Sequence, residues 1–127
     1  MKEKLKILVV DDEVHILHVV ALKFRNAGYE VITSQDGREG LELAQVERPA
    51  LIITDYQMPH LSGLELARRI RHIPSTREIP VLMLTARGFS VDQAALQAAG
   101  IEICIEKPFG PRELLRRVDE ILQEQPV

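Results

Sequence analysis

The 127-residue sequence contains one cysteine, Cys104, and no apolar run long enough to span a membrane. A single cysteine cannot form an internal disulfide, which favours a reducing compartment, so we expect a cytoplasmic protein. A membrane-spanning helix needs roughly 20 apolar residues, and the run at residues 7–10 is too short even for a signal peptide. The formal net charge of −3 offers no general basic surface. We therefore expect no membrane partner and no direct binding of nucleic acid.

The sequence also lacks internal repeats, low-complexity tracts and interior linkers. Its length and its ordinary balance of apolar and charged residues suit one globular domain with its own core. We therefore expect a single domain over residues 1–127, in which residues 123–127 form a frayed tail or the start of a linker.

Short apolar runs recur along the chain and predict five strands. Continuous runs at residues 6–10, 51–54 and 81–84 are typical of strands buried on both faces, as in a parallel sheet covered by helices. The run at residues 29–34 is more mixed. Residues 101–106 alternate, which predicts an edge strand with Ile101, Ile103 and Ile105 on one face and Glu102, Cys104 and Glu106 on the other.

Helical spacing fills the segments between these runs. The first helix should bury Val14, Leu17, Ala21 and Phe24 and end at Gly28. Three pairs with capping-box spacing mark the next three helix starts: Asp36 with Glu39, Ser62 with Glu65, and Ser90 with Gln93. Gly100 suits the end of the fourth helix and Pro111 the start of the fifth. The result is a doubly wound (βα)5 domain of the α/β class, with helices on both faces of a parallel sheet.

Polar residues stand at the carboxyl ends of four predicted strands, where ligands bind in such sheets. Asp11 and Asp12 follow the first strand, Asp55 follows the third, Thr85 ends the fourth, and Lys107 follows the fifth. Each alone is ordinary, since an aspartate before a helix is commonly a cap and a lysine at a turn is commonly solvated. Their meeting at one edge is far more specific than any one of them.

The chemistry that these residue types permit is narrow. Three carboxylates form a hard oxygen site suited to Mg²⁺, with Mn²⁺ as the alternative ion, and a metal there relieves their mutual repulsion. A lysine and a hydroxyl opposite could hold a phosphoryl group, and an aspartate can itself become an aspartyl phosphate. Glu13, next to the acidic pair, is expected in the first turn of the first helix, where the dipole favours it.

In these motifs the chain resembles the receiver domain of two-component response regulators over essentially its whole length. The residues that carry the resemblance are Asp11-Asp12, Asp55 with Met58-Pro59 and Gly63, Thr85-Ala86, and Lys107-Pro108-Phe109. The resemblance implies a flavodoxin-like fold with strand order 2-1-3-4-5. It also implies a protein that promotes its own phosphorylation and dephosphorylation at Asp55, without being a conventional enzyme. The phosphoryl group would come from a phosphohistidine on a sensor histidine kinase or a histidine phosphotransfer protein.

The resemblance further implies a role for each site residue. Asp12, Asp55 and the carbonyl of Gln57 would bind Mg²⁺ directly, with Asp11 acting largely through water. Lys107 would pair with one phosphoryl oxygen, and the Thr85 hydroxyl would bond another. Ala86 would adjoin that hydroxyl, and the peptide bond between Lys107 and Pro108 would be cis.

Signalling in this family passes through the surface of the fourth helix, fifth strand and fifth helix, where the receiver contacts an output domain, a downstream protein or a second copy of itself. The aromatic residue that usually moves with the threonine is replaced here by Cys104, a thiol without a ring to rotate. Gln57 and Arg87, each two residues after a site residue, should influence the lifetime of the phosphorylated state.

Three other functions fit parts of the pattern, and each is disfavoured by specific residues. A phosphatase with an aspartate nucleophile would have a second acid two residues after it, where this chain has Gln57. A receiver-like docking module that is never phosphorylated would not need the complete set of acids, hydroxyl and lysine. A flavin mononucleotide module is disfavoured because Asp11, Asp12 and Glu13 would repel a phosphate at the first loop.

Overall fold

Strands and helices alternate strictly in the computed structural model, which describes residues 4–86, 90 and 92–123. The strands are β1 (Lys6–Val10), β2 (Glu30–Ser34), β3 (Leu51–Asp55), β4 (Val81–Thr85) and β5 (Ile101–Glu106). The helices are α1 (Val14–Asn26), α2 (Gly37–Glu47), α3 (Gly63–His72), α4 (Gln93–Ala98) and α5 (Pro111–Gln123). Within these residues no helix is both long and apolar enough to cross a bilayer. Of the predicted tail, only Gln123 is described, as the last residue of α5.

The five strands form one parallel sheet in the order β2-β1-β3-β4-β5, so the predicted topology is confirmed. β3 and β4 each continue one residue beyond the predicted run and include Asp55 and Thr85. In the register, Val10 pairs with Thr54, and Asp55 pairs with Leu84. The carboxyl ends of β1, β3 and β4 are therefore level, which brings their last residues to one edge.

Two apolar cores cover the sheet, one on each face. Residues along β1, β3 and β4 alternate between the cores, which explains why these strands are apolar at successive positions. One core packs α1 and α5 against the sheet and includes Phe24, Leu114 and Val118. The other packs α2, α3 and α4 against the opposite face and includes Ala44, Leu66 and Leu96.

The edge strand β5 departs from the predicted alternation. Val81 pairs with Ile101, but Leu82 pairs with Ile103, so one extra residue bulges out of β5 between these pairs. Ile101 consequently packs in the core beneath α3 and α4, whereas Ile103 and Ile105 pack in the core beneath α1 and α5. The prediction that the three isoleucines share one face was wrong because a bulge reverses the side-chain direction on one side of it.

The helix ends mostly follow the predicted capping chemistry. After α1, Gly28 adopts φ +103°, and Tyr29 N–H donates to the carbonyl of Phe24, which closes the helix with a Schellman motif. Asp36 and Ser62 accept from the backbone N–H of Glu39 and Glu65, so both caps are confirmed.

Two predicted positions in the helices were wrong. Asp92 caps α4 and accepts from the N–H of Ala94, so the cap lies closer to the helix than Ser90, which is exposed. In α1, Val14 is 45% exposed, whereas Val20, which was not among the predicted core residues, is fully buried. Val14 is the first residue of the helix, and its side chain remains largely in contact with solvent.

Candidate functional site

The candidate site is a cleft of about 240 Å³ at the carboxyl edge of the sheet. The loops after β1, β3, β4 and β5 supply its walls. The lining residues are Asp12, Glu13, Asp55, Tyr56, Gln57, Ala86 and Lys107. A water molecule takes up roughly 30 Å³ in the liquid, so this cleft has room for a small hydrated ion beside a phosphoryl group.

Three aspartates meet on one side of the cleft. Asp11, Asp12 and Asp55 each offer a carboxylate oxygen, and the three oxygens lie within 4.8 Å of one another. Asp11 is fully buried and Asp55 is only 7% exposed, whereas Asp12 faces solvent. The N-cap of α1 is Glu13, so neither of the preceding aspartates caps the helix. Asp12 and Asp55 line the cleft, whereas Asp11 is buried beside them.

Backbone contacts fix the positions of the buried aspartates. Asp11 N–H donates to the carbonyl of Ser34, and Asp11 Oδ1 accepts from the N–H of Glu13 at 2.9 Å. After Asp55, the N–H of Tyr56 donates to the carbonyl of Leu84 on β4. Backbone hydrogen bonds to neighbouring strands therefore hold both aspartates at the carboxyl edge of the sheet.

Gly63 allows the loop after β3 to fold tightly against its own strand. Its N–H donates to the carbonyl of Tyr56 at 2.8 Å. A Cβ at this position would lie 2.2 Å from the carbonyl oxygen of Asp55, so no other residue fits without moving the strand end. The glycine therefore helps to set where the Asp55 side chain stands.

Lys107 contacts three carboxylates from the opposite wall. Its Nζ lies 3.0 Å from Asp11 Oδ2, 3.0 Å from Glu13 Oε1 and 3.4 Å from Asp55 Oδ1. The backbone N–H of Lys107 donates to the carbonyl of Thr85 at 2.7 Å, and its peptide bond to Pro108 is cis, as the resemblance implied. One ammonium thus offsets part of the negative charge that the chain gathers here.

Burial and charge shift the pKa values of these groups. Burial, followed by the charge of Asp11, raises the pKa of Asp55 to about 6, although Lys107 opposes the shift. Burial likewise raises the pKa of Asp11. Burial alone would lower the pKa of Lys107, but its contacts with Asp11 and Glu13 outweigh that effect and raise it. The site is therefore short of positive charge as it stands.

The donor set suits a divalent cation with a preference for oxygen. Three clustered carboxylates match the ligand chemistry of Mg²⁺, which accepts few protein ligands and keeps several waters. Asp11 Oδ2 is buried and accepts no hydrogen bond of good geometry, although Lys107 lies close to it. An added cation would offset the acidic charge of this cluster, and Gln57 lies in the wall of the same cleft.

Thr85 and Cys104 lie side by side next to the cleft. Thr85 is 2% exposed at the end of β4, and Cys104 Sγ lies 3.9 Å from its Oγ1. Partial burial raises the pKa of the Cys104 thiol. Ala86 borders the cleft, and Pro108 lines a neighbouring groove with Phe109 and Pro111. Arg87, the remaining predicted residue, lies outside the described residues.

Sequence reasoning missed the contact between Glu13 and Lys107. Glu13 was expected as a helix residue favoured by the dipole, but it precedes the first turn and its side chain makes no capping bond. Its carboxylate turns to Lys107 instead. A third acid immediately after Asp11 and Asp12, on the same edge as a lysine, was the pattern that could have indicated this ion pair.

Comparison with known protein families gives one match that covers most of the chain. The model of the response regulator receiver domain family matches residues 7–119. A curated relative, the alkaline phosphatase synthesis transcriptional regulatory protein PhoP of Bacillus subtilis, is 38% identical over 122 residues. That stretch covers 96% of this chain and 50% of PhoP, so the chain spans about half the length of this relative.

Solved structures give the same match in three dimensions. The chemotaxis response regulator CheY4 of Vibrio cholerae has a TM-score of 0.87 at 35% identity, over 94% of this chain and 99% of that one. The receiver domain of a sensor histidine kinase from Pseudomonas aeruginosa has a TM-score of 0.86 at 29% identity, over 96% of this chain and 100% of that one. The latter structure has a magnesium ion coordinated in its active-site cleft.

Proposed function

This chain belongs to the family of response regulator receiver domains of two-component systems, and from that premise we propose that Asp55 accepts a phosphoryl group in an Mg²⁺-dependent reaction. The observation that carries the proposal is the surroundings of Asp55. Lys107 lies 3.4 Å from it on one side, and the carboxylates of Asp11 and Asp12 cluster with it on the other. The proposed donor is a phosphohistidine on a sensor histidine kinase or a histidine phosphotransfer protein.

The transfer is a displacement at phosphorus. A carboxylate oxygen of Asp55 forms the new P–O bond, the P–N bond to the donor histidine breaks, and the imidazole leaves with the electron pair of that bond. Hydrolysis later removes the phosphoryl group from Asp55. Water attacks phosphorus, the P–O bond to Asp55 breaks, and phosphate leaves with the Asp55 carboxylate restored. Phosphoryl transfer depends chiefly on positioning and charge neutralisation.

The side chains around Asp55 supply that positioning. The Lys107 ammonium binds one phosphoryl oxygen, and the hydroxyl of Thr85 donates to another. Asp12, Asp55 and the backbone carbonyl of Gln57 would hold Mg²⁺, with Asp11 acting through water. The ion supplies positive charge to the phosphoryl oxygens when bound. Because the pKa of Asp55 is raised only to about 6, its carboxylate is largely ionised and nucleophilic at neutral pH.

Residues beside the site would control the lifetime of the phosphorylated state, and the surface of α4, β5 and α5 would transmit the signal. Gln57 lies in the cleft wall, where a long polar side chain can order or block the attacking water. We assign the same role to Arg87. The phosphorylated state would alter binding of an output domain, a downstream protein or a second copy through the surface of α4, β5 and α5. We also propose that residues 1–127 form one receiver domain that works in the cytoplasm.

Intact-mass spectrometry tests the proposal. The protein is incubated with acetyl phosphate, with and without Mg²⁺, and compared with Asp55→Asn. Wild type should gain the mass of one phosphoryl group only with Mg²⁺, and Asp55→Asn should gain none. The control Asp92→Asn removes an exposed carboxylate of α4, retains an effective cap and should behave like wild type. An unmodified wild type would favour the docking module that is never phosphorylated.

A further inference from the structure

Glu13 contacts the lysine of the site but has no part in the proposed phosphoryl transfer. Its Oε1 lies 3.0 Å from Lys107 Nζ, which also contacts Asp11 and Asp55. A lysine ammonium has three N–H donors. Of the three contacts, only that with Glu13 has hydrogen-bond geometry, so an arriving phosphoryl oxygen competes most directly with Glu13 for an N–H donor of Lys107.

The three contacts differ in how easily they can be released. Asp11 is fully buried, and its Oδ2 has no hydrogen bond of good geometry from another group, so losing Lys107 would strand a buried charge. Asp55 is itself the proposed acceptor and stays beside the phosphoryl group. The Glu13 side chain is 47% exposed, so water can solvate its carboxylate after release. Glu13 is the partner that Lys107 gives up at least cost.

We propose that Glu13 is a positioning residue that holds Lys107 in the resting state and competes with the phosphoryl oxygen for its ammonium. Entry of the phosphoryl group exchanges the Glu13–Lys107 ion pair for a phosphoryl–Lys107 contact. The proposal rests on the proposed function, because it requires phosphoryl chemistry at Asp55. It means that Glu13 weakens the binding of the phosphoryl group to the resting protein.

Beryllofluoride, which attaches to a carboxylate with the shape and charge of a phosphoryl group, is the probe. Its dissociation constant is measured by ¹⁹F NMR at saturating Mg²⁺ for wild type, Glu13→Gln and Glu13→Asp. Both variants should bind about two- to five-fold more tightly, the size expected for loss of a half-exposed ion pair. Glu13→Asp is decisive because it keeps the charge but shortens the side chain by one methylene, which should weaken the contact of the carboxylate with Lys107.

Two further measurements separate competition from other effects. Glu42→Gln removes one charge from the exposed surface of α2 and should bind beryllofluoride like wild type. The Mg²⁺ affinity of Glu13→Asp without beryllofluoride should also equal that of wild type. The backbone bond from Glu13 N–H to Asp11 Oδ1 does not depend on the side chain, so the acid cluster should keep its geometry in both Glu13 variants.

Three outcomes would overturn the proposal. If only Glu13→Gln binds more tightly, then general charge repulsion explains the effect. If the Mg²⁺ and beryllofluoride affinities of Glu13→Asp change together, then Glu13 shapes the acid cluster instead. Unchanged beryllofluoride binding in both variants would remove the competition altogether. In all three cases wild type still binds the probe, so the proposed function survives, whereas no binding by wild type would overturn both.

Discussion

Replacement of Asp55 by asparagine should stabilise the fold at neutral pH in the absence of divalent cations. Burial and the neighbouring Asp11 raise the pKa of Asp55 from 3.8 to about 6. The folded state therefore binds a proton more tightly than the unfolded state, so stability falls as the pH rises from about 4 to about 6. At about 1.4 kcal/mol per pKa unit, ionised Asp55 costs the fold about 3 kcal/mol above that window.

Urea denaturation in EDTA measures this cost. Asp55→Asn should exceed wild type by about 1–3 kcal/mol at pH 7.5, which shifts the midpoint by roughly 1 M urea. The difference should become much smaller near pH 4, where the Asp55 carboxyl is protonated in the folded state and about half protonated in the unfolded state. Saturating Mg²⁺ should also reduce it, because the ion stabilises only the protein that binds it.

The matched control for this measurement is Asp92→Asn, which removes an exposed carboxylate and keeps the cap of α4. Its stability should differ from wild type by less than about 0.5 kcal/mol at either pH. If Asp55→Asn were no more stable than wild type at pH 7.5 in EDTA, then Lys107 already balances the acidic charge. The electrostatic reason for expecting a metal would then be lost.

Three substitutions test other features of the structure. Gly63→Ala should destabilise the fold by about 1–3 kcal/mol and slow phosphorylation, because the added Cβ would press on the Asp55 carbonyl. Gly110→Ala is the control for both the unfolding and the phosphorylation measurements, because a Cβ there would have its nearest neighbouring atom at 4.0 Å. His60→Gly should increase the free energy of unfolding by about 1 kcal/mol and so raise the thermal midpoint, since His60 has φ 70°. An unchanged thermal midpoint would show that this backbone is unstrained. Cys104→Tyr should change phosphorylation-dependent partner binding more than phosphorylation rate, and equal changes would refute the separation.

The alternation of strands and helices and the main residues of the site followed from local patterns in the sequence, whereas the order of the strands was implied by the family resemblance. Strands covered on both faces are apolar at every position, so β1, β3 and β4 were evident without knowing their neighbours. Asp11, Asp55 and Lys107 could be brought together because every parallel strand of such a sheet delivers its carboxyl end to the same edge. These inferences depend only on the apolar pattern of single segments and on the rule that parallel strands end at the same edge of a sheet.

The features that were missed depend on contacts between segments. The bulge in β5 appears only in its pairing with β4, so the direction of Ile101 could not be obtained from the alternation of residues 101–106. The cap of α4 fell to Asp92 because two capping residues lie close together and the path of the chain selects one. The partner of Glu13 is 94 residues away, and only the folded sheet brings Lys107 to it.

The most direct measurement of the central claim is the identity of the modified residue. After incubation with acetyl phosphate and Mg²⁺, borohydride reduction converts an aspartyl phosphate to homoserine, which peptide mass spectrometry locates in the chain. The account predicts homoserine at position 55 in wild type and none without Mg²⁺. Homoserine at Asp11 or Asp12 instead of Asp55, or equal conversion without Mg²⁺, would contradict it.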